Sequence, residues 1–323
     1  MKLKQPYMFI IYGPTAVGKT DFALNIAQKV PAEIVNLDMG QFYTALSIGT
    51  AKPDWRSMPV PHHLFDVVDE ARNFTVAEYR AKLFTTLHDI WQRGNLPILV
   101  GGSGFYLKSI FYPPVSPIPI DHSRYDTLPV DQAWRMLHEV DPDRAAAINP
   151  NDAYRIKRAL AIWHATGQKP SEQAPIYEPP CPFLLVSLLR ERHELYAKID
   201  ARVHEMLRAG WVEEVTALRG TPWEQFLRSK KIIGYDDLLH YLDGEHSEQA
   251  LKLVVHTIQQ KTRNYAKRQL TFWRMLDRTL QKALQAEGIH AIPPSEIVSI
   301  NLTLFDVDLY IEQLSDRLMT LFE

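Results

Sequence analysis

The segment from Gly13 to Thr20 reads GPTAVGKT and matches the phosphate-binding loop pattern G-x-x-x-x-G-K-[ST] at every fixed position. An apolar run over 7–12 precedes it, and a helical pattern over 21–30 follows it. Glycines let the chain turn so that successive backbone N–H groups point inward, where they and the helix N-terminus bind an anion. Lys19 adds a positive charge, and the Thr20 hydroxyl can hold Mg²⁺. These residues predict a site for a phosphate or a diphosphate.

Polar residues that follow predicted strands could also carry chemistry. Asp38 could help to hold Mg²⁺, take a proton as a general base, or only cap a turn. Ser103 lies in a second glycine loop, 101–104, which could contact a phosphate or a substrate oxygen or could be only a tight turn. Arg192 begins a helix directly after a strand, where a guanidinium could clamp a diphosphate through two nitrogens.

Two basic segments favour a nucleic-acid partner. One lies in a helical region at 152–158, and the other, 261–274, contains five basic residues and no acidic one. Arg263, Lys267 and Arg274 fall on one face of a helix with 3.6 residues per turn. Such a face suits a phosphate backbone, although a solvated helix face would have the same pattern.

The composition is that of an ordinary globular protein. A chain of 323 residues with 46% hydrophobic and 23% charged residues can bury a large core and a second unit. A net charge of −2 argues against indiscriminate polyanion binding but permits a local basic surface. No apolar run reaches the length of a membrane span, and the N-terminal apolar stretch is read as a first strand, not a signal peptide. The single cysteine, Cys181, is typical of a reducing cytosol, so we expect a cytoplasmic protein.

The elements that must position these residues alternate between strand and helix over the first hundred residues. This alternation predicts an α/β fold with a parallel sheet and helices on both faces. Strands are predicted over 7–12, 33–37 and 96–100, with a shorter candidate over 64–68, and helices from about Lys19 and over 75–93. Because the site in such a sheet lies beyond the carboxyl ends of the strands, the loop at 13–20, Asp38 and Ser103 should converge.

Proline clusters then interrupt the pattern. The first contains Pro113, Pro114, Pro117 and Pro119, and the second lies over 170–182. A helical stretch between them runs over 131–166 and stops at Gly167. We therefore predict a P-loop core over 1–116, a helical insertion domain over 117–181, and a return to the core over 182–323. This last part contains a strand over 183–189 and helices over 191–209, 212–219, 235–242 and 247–276, and its tail from Gln281 is uninformative.

The order of motifs resembles that of the bacterial tRNA dimethylallyltransferases, a family of tRNA isopentenyltransferases. The resemblance runs to about Arg274 and rests on motifs that occur in the family's order. They are GPTAVGKT at 13–20, LDMGQFY at 37–43, IGTAKP at 48–53, VPHHLFD at 60–66, LVGGSGFYLK at 99–108, NPNDAYRIKRAL at 149–160, RHELYAKIDARV at 192–203, IGY at 233–235 and TRNYAKRQLTFWR at 262–274.

The resemblance implies transfer of a dimethylallyl group from dimethylallyl diphosphate to N6 of the adenosine next to the anticodon of tRNA. It implies a P-loop NTPase-like fold used without ATP hydrolysis, with Mg²⁺ at Thr20. Asp38 would be the base, and Ser103 and Arg192 the other catalytic residues. The implied diphosphate ligands are Gly13, Pro14, Thr15, Ala16, Val17, Gly18, Lys19 and Thr20. The implied tRNA contacts are Asp38, Met39, Gly40, Gln41, Ser103, Arg124, Tyr154, Arg155, Ile156, Lys157, Arg158, Arg263 and Lys267. The expected partner is the tRNA anticodon stem-loop, with the chain acting as a monomer and no membrane involved.

The chain departs from the family pattern at several positions. Met39 replaces a usual serine at an RNA contact, Lys198 replaces a frequent arginine at a second diphosphate contact, and Ser103 replaces a usual threonine. Three other functions are compatible with the phosphate loop. They are a small-molecule kinase, an adenylate isopentenyltransferase that acts on a free nucleotide, and an RNA-binding switch controlled by a nucleotide.

Overall fold

The computed structural model describes residues 1–113, 123–173, 175–287 and 294–323 and divides the chain into two compact units. The first unit contains Met1–Lys108 and Pro179–Glu323, and the second contains Ser109–Glu178. The predicted boundary between 116 and 117, with Pro114, Pro117 and Pro119, lies outside the described residues.

A parallel sheet forms the centre of the first unit. In the described residues it has six strands in the order β3-β2-β4-β1-β5-β6. The strands are β1 (Met8–Tyr12), β2 (Ala32–Asn36), β3 (His62–His63), β4 (Leu96–Gly101), β5 (Phe183–Leu189) and β6 (Glu296–Asn301). Every residue of β1 is buried, as expected for a strand with helices on both faces. The sheet confirms the predicted fold class.

The position of β1 determines where a ligand can bind. β1 lies between β4 and β5, while β2 lies on the far side of β4. Strands that come later in the chain therefore flank β1 on both sides, and such a switch point leaves a crevice at the carboxyl edge of the sheet. In open parallel sheets ligands bind in this crevice, beyond the carboxyl ends of the strands.

Helices account for most of the remaining described residues. In chain order they are α1 (Lys19–Ala27), α2 (Val76–Gln92), α3 (Gly104–Phe111), α4 (Ser123–Asp126), α5 (Val130–Val140), α6 (Pro142–Ala146), α7 (Ala153–Thr166), α8 (Arg192–Arg208), α9 (Trp211–Leu218), α10 (Pro222–Lys230), α11 (Tyr235–Asp243), α12 (Glu248–Glu287) and α13 (Val307–Met319). In the described parts of the chain, none is both long enough and apolar enough to cross a membrane.

The prediction of a short strand over 64–68 is wrong. The strand is instead His62–His63, which pairs with Ile34 and Val35 of β2. Leu64 and Asp66 have φ angles of 61° and 51°, and a chain in that left-handed conformation cannot continue a strand.

Two helical predictions also need correction. The stretch predicted as helical over 131–166 is broken into α5, α6 and α7, because the Asp141 side chain caps a new helix that starts with Pro142. The helix α10 was not predicted, although Thr221 caps it and Pro222 occupies its first position.

The second unit has its own small hydrophobic core. Ala133 and Leu137 of α5 pack with Ile156 and Leu160 of α7, and all four are almost completely buried. These side chains recur at helical spacing, which explains why the helices pack along one apolar face each.

The C-terminal tail belongs to the core of the first unit. β6 pairs with β5 from Leu184 to Leu189, and the side chains of Ile300, Leu314 and Leu318 are buried with those of the central strands. The sequence alone left this segment unassigned.

We predict that Leu314→Ala lowers the free energy of unfolding by about 2–5 kcal/mol, because it removes a side chain that is only 4% exposed. Leu309→Ala on the same helix is the matched control, since Leu309 is 52% exposed and its truncation should change stability by less than about 0.5 kcal/mol. Denaturant unfolding measures both. Equal effects would contradict the packing of α13 on the core.

Candidate active site

The phosphate loop connects β1 to α1 at the carboxyl edge of the sheet. Gly18 has a φ of 108°, a conformation that favours glycine, and it caps α1 without any side-chain hydrogen bond. No capping side chain therefore competes with a ligand for the first amides of α1. These amides and the helix dipole together form a site for an anion.

The ammonium group of Lys19 lies within this loop. Its Nζ donates hydrogen bonds to the carbonyl oxygens of Gly13 at 3.1 Å and Pro14 at 2.9 Å. Burial lowers the pKa of Lys19 to about 8, against the raising effect of the nearby Asp38 carboxylate. The loop thus holds a positive charge whose protonation responds to any anion that binds beside it.

Asp38 follows β2 and faces the same cavity. Its Oδ1 accepts a hydrogen bond from the amide of Gly40 at 3.3 Å, so it caps the short 3₁₀ turn Met39–Phe42. Asn36 fixes the backbone of Asp38 through two hydrogen bonds. Burial raises the pKa of the Asp38 carboxyl, while the positive charge of Lys19 opposes that shift. The turn cap and the proton acceptor proposed from sequence are therefore compatible roles of one side chain.

Ser103 joins the second glycine loop to the segment after Asp38. Its Oγ accepts a hydrogen bond from the amide of Met39 at 2.9 Å, and the side chain is almost fully buried. The phenol of Tyr265 on α12 lies within hydrogen-bonding reach of Ser103. Burial and then the Asp38 carboxylate raise the pKa of Tyr265, which keeps this phenol neutral. The predicted convergence of the two loops with Asp38 is present in the structure.

The phosphate loop, Asp38 and Gly101 of the second glycine loop line one cavity of about 410 Å³ in the first unit, whereas Ser103 and Tyr265 are not among its described lining residues. Its walls come from the phosphate loop, the segment after β2, the loop at 50–53 and α8. The polar or charged residues among them include Thr15, Lys19, Thr20, Asp21, Asp38, Gln41, Thr50, His62, Lys198, Arg202 and Glu205. A volume of this size suits a ligand of small-molecule dimensions.

Arg192 does not line this cavity within the described residues. Its side chain is exposed, and its guanidinium lies 5.2 Å from the ring centre of Tyr196. Lys198 and Arg202 line the cavity instead. They are four residues apart on α8 and so share a face, from which Arg192 is rotated away. The role expected for Arg192 thus falls to two cations that lie nearly two and nearly three turns further along the helix.

The guanidinium of Arg202 interacts electrostatically with Asp38. Burial lowers the pKa of Arg202, and the carboxylate of Asp38 opposes this effect. A guanidinium keeps its charge even when buried. Arg202 therefore gives the cavity a positive charge that does not depend on pH.

Gln41 lines the cavity and connects it to the loop at 47–53. Its Nε2 donates to the carbonyl oxygens of Thr50 at 3.3 Å and Ala51 at 3.2 Å. Met39 is 43% exposed, so it can meet a ligand at the surface. The segment predicted to contact tRNA after Asp38 is thus accessible at Met39 and anchored at Gln41.

Glu214 on α9 holds the same loop from the opposite side. Its carboxylate accepts hydrogen bonds from the amides of Ser47, Ile48 and Gly49, at 3.1, 2.7 and 3.3 Å, and from the Tyr235 hydroxyl at 2.6 Å. The motifs IGTAKP and IGY therefore meet at one carboxylate. Sequence reasoning missed Glu214, because a single glutamate on a helix has no local pattern that distinguishes it from a solvated residue.

The predicted tRNA-binding residues of the second unit are not equivalent. Tyr154 is 67% exposed, and Arg155 and Arg158 are also exposed. Lys157 donates to the carbonyl oxygen of Asp126 at 2.9 Å. Ile156 has no exposed surface and belongs to the core of the unit, so its predicted contact with tRNA is wrong.

Arg124 is also in the second unit and is hydrogen-bonded to His164. Both side chains lie at the surface, so the arginine stays accessible to a phosphate. The structure gives Arg124 a neighbour on α7, the helix that presents Tyr154, Arg155 and Arg158.

The basic face of α12 is smaller than predicted. Arg263 forms an ion pair with Asp200 on α8, and its side chain is only 20% exposed. Lys267 and Arg274 remain exposed. Trp273, in contrast, is buried against Tyr12 of β1, with 5.3 Å between ring centres. The helix therefore docks on the core by one face and presents two cations of the predicted set to solvent.

The family model of the IPP transferases matches residues 41–276, which is most of the chain. The chain belongs to the IPP transferase family. The match begins just after Asp38 and includes Ser103, Lys198 and Arg202.

Curated relatives are similar over most of their length. The tRNA dimethylallyltransferase of Thermotoga petrophila is 35% identical over 82% of this chain and 88% of its own. The tRNA dimethylallyltransferase 1 of Citrifermentans bemidjiense is 38% identical over 84% of this chain and 90% of its own.

Solved structures share the fold. The full-length tRNA isopentenylpyrophosphate transferase of Bacillus halodurans superposes with a TM-score of 0.66 at 29% identity, covering 98% of this chain and 97% of its own. A eukaryotic dimethylallyltransferase acting on tRNA gives a TM-score of 0.76 at 25% identity, covering 98% of this chain and 78% of its own.

From the lowered pKa of Lys19 we predict that diphosphate binding depends on pH. A bound diphosphate raises this pKa, so binding near pH 8 should take up a proton, and affinity should fall as the pH rises through about 8. Calorimetry in buffers with different ionisation enthalpies measures the uptake. Lys19→Arg is the control. Because its guanidinium stays charged at every pH used, any proton uptake measured with this variant comes from the diphosphate itself. Equal uptake by the two proteins would contradict the account of Lys19.

Proposed function

We propose that this chain transfers the dimethylallyl group of dimethylallyl diphosphate to the exocyclic amine N6 of the adenosine next to the anticodon in tRNA. Diphosphate is the second product. Membership of the IPP transferase family supports the proposal, as do relatives named tRNA dimethylallyltransferases. The observation that carries it is the cavity in which a phosphate loop, two cations of α8 and the Asp38 carboxylate face one another.

Diphosphate binding follows from the positive side of this cavity. The first amides of α1, the Lys19 ammonium and the Arg202 guanidinium would hold the two phosphate groups, with Lys198 as a further cation. As the bond between the allylic carbon and the bridging oxygen breaks, negative charge grows on the leaving oxygens. These groups therefore stabilise the transition state more than the ground state.

The acceptor half of the reaction needs a base. N6 of the adenine forms a bond to the allylic carbon and must lose a proton, which Asp38 would accept. A buried carboxyl with a raised pKa is a better base than an exposed one, because its affinity for the proton lies nearer the working pH. The adenine must leave its stack in the RNA to reach a cavity of this size. Extrusion of a nucleotide from a loop costs less free energy than extrusion from a duplex.

Mg²⁺ fits the donor set of this cavity. Among the described residues no group of three His, Cys, Asp or Glu side chains could hold a metal alone. Mg²⁺ rarely needs one, since it is usually bound by one or two protein oxygens together with substrate phosphates and water. The Thr20 hydroxyl would supply such an oxygen beside the diphosphate, and the bound ion would neutralise charge on the leaving group.

The substrate RNA would be held mainly through its phosphates. Exposed cations and an exposed tyrosine occur on α12 and on the second unit, and they match a polyanionic partner. They are Lys267, Arg274, Arg124, Tyr154, Arg155 and Arg158. We propose the anticodon stem-loop as this partner, with the chain acting as a monomer.

A labelling experiment tests the proposal against its alternatives. Dimethylallyl diphosphate with a labelled prenyl group is incubated with unmodified tRNA or with AMP, and labelled ATP is tested with candidate acceptors. We expect the prenyl label on tRNA, none on AMP and no phosphoryl transfer from ATP. Label on AMP alone would favour an adenylate isopentenyltransferase, and phosphoryl transfer would favour a kinase.

We predict that Asp38→Asn slows single-turnover transfer by about 100- to 10,000-fold, because the amide retains the cap on the amide of Gly40 but cannot accept a proton. Diphosphate should bind at least as tightly as to the wild type, since a negative charge near the anion is removed. Asp38→Ala loses the cap as well and should be no more active. Normal turnover by Asp38→Asn would exclude Asp38 as the base.

A further inference from the structure

A buried glutamine on α12 connects the two loops of the cavity. The side chain of Gln269 is 5% exposed. Its Oε1 accepts a hydrogen bond from the amide of Thr15 at 2.9 Å, and its Nε2 donates one to the carbonyl oxygen of Gly102 at 2.9 Å. A side-chain amide is uncharged and has an oxygen that accepts hydrogen bonds at one end and a nitrogen that donates them at the other. Its partners, a backbone donor and a backbone acceptor, fix which end faces which loop.

The packing of this amide against Gly102 is close. A methyl group at Gly102 would lie 2.4 Å from Nε2 of Gln269 and 3.0 Å from the carbonyl oxygen of Gly13. The same turn of α12 is held to β1, because the Tyr12 hydroxyl contacts the backbone carbonyl oxygen of Gln269 at 3.4 Å. The two ends of the glutamine side chain are therefore held by backbone groups of the two loops, and its own backbone is held by β1.

The two loops that it joins carry the two halves of the chemistry. Thr15 belongs to the loop that would hold the diphosphate. Gly102 precedes Ser103, whose Oγ holds the amide of Met39 directly after Asp38. The hydrogen bonds of Gln269 and of Ser103, joined by the peptide bond between Gly102 and Ser103, thus link the phosphate loop to the residue after Asp38.

We infer that Gln269 is a positioning residue that sets the distance and angle between the bound leaving group and the Asp38 carboxylate. This inference rests on the proposed function. Transfer to N6 needs the diphosphate on one side of the allylic carbon and the amine on the other, nearly in line. Gln269 touches neither reactant, and it also ties up the Thr15 amide. The loop amides left for the diphosphate therefore begin at Ala16.

The first test compares two glutamine-to-methionine variants of α12. Gln269→Met keeps the approximate shape but removes both hydrogen bonds. Gln259→Met is the matched control, because Gln259 also anchors α12, through a hydrogen bond to the carbonyl oxygen of Asp200 on α8. We expect Gln269→Met to lower kcat by about 100-fold, the effect of a displacement of about 1 Å, with KM for tRNA nearly unchanged. The control should keep wild-type kcat at a similar Tm.

The second test uses pH to restore the bridge. In Gln269→Glu a protonated carboxyl can donate to Gly102 and accept from Thr15, as the amide does, whereas a carboxylate can only accept. Burial raises the pKa of a carboxyl, so the neutral form gains as the pH falls. The ratio of kcat in this variant to kcat in the wild type should rise at least tenfold from about pH 8 to about pH 6. Taking the ratio removes the pH effects that the two proteins share.

The outcomes separate this inference from the proposed function. If the wild type transfers no prenyl group to tRNA, the proposed function is contradicted. The binding of inorganic diphosphate then still tests the bridge, which predicts weaker binding by Gln269→Met and unchanged binding by Gln259→Met. Wild-type kcat and diphosphate binding in Gln269→Met would overturn the inference. If Gln269→Met is much less stable than the control, the kcat ratio of Gln269→Glu to wild type decides. A ratio that does not change between about pH 8 and about pH 6 overturns the inference.

Discussion

Opposite charges that face each other in a partly buried cavity are the interaction on which this site depends. Burial alone would neutralise the ammonium of Lys19 and the carboxyl of Asp38, since it lowers the first pKa and raises the second. Each group opposes the shift of the other through its charge, and the Arg202 guanidinium supports Asp38 further. The result is an anion site and a proton acceptor a short distance apart, each adjusted to its role by the other.

The fold holds these charges apart at fixed positions. Parallel strands place the phosphate loop, Asp38 and the second glycine loop at one edge, and helices that follow later in the chain close the remaining sides. α8 supplies cations, while α9 and α12 contribute Glu214 and Gln269, whose side chains hydrogen-bond to the backbone of the loops. The chemical groups are thus carried by short local segments, and their relative placement is set by distant ones.

This division explains how much of the molecule the sequence could predict. The phosphate loop, Asp38 and Ser103 follow strands directly, so a local pattern locates them. The sequence points to Arg192 because it begins a helix after a strand, but the rotation of α8 brings Lys198 and Arg202 to the cavity instead. Ile156 lies in a basic segment, but its position on the helix places its side chain in the core of the second unit. Gln269 and Thr15 are 254 residues apart, and no pattern along the chain predicts such a contact.

The most direct measurement is a crystal structure of the chain with an unreactive thio-analogue of dimethylallyl diphosphate and an anticodon stem-loop. The account predicts the diphosphate on the amides of 16–20, Arg202 at its oxygens, and the extruded adenine with N6 about 3 Å from a carboxylate oxygen of Asp38. An adenine amine turned away from Asp38, or a diphosphate bound outside the phosphate loop, would contradict it.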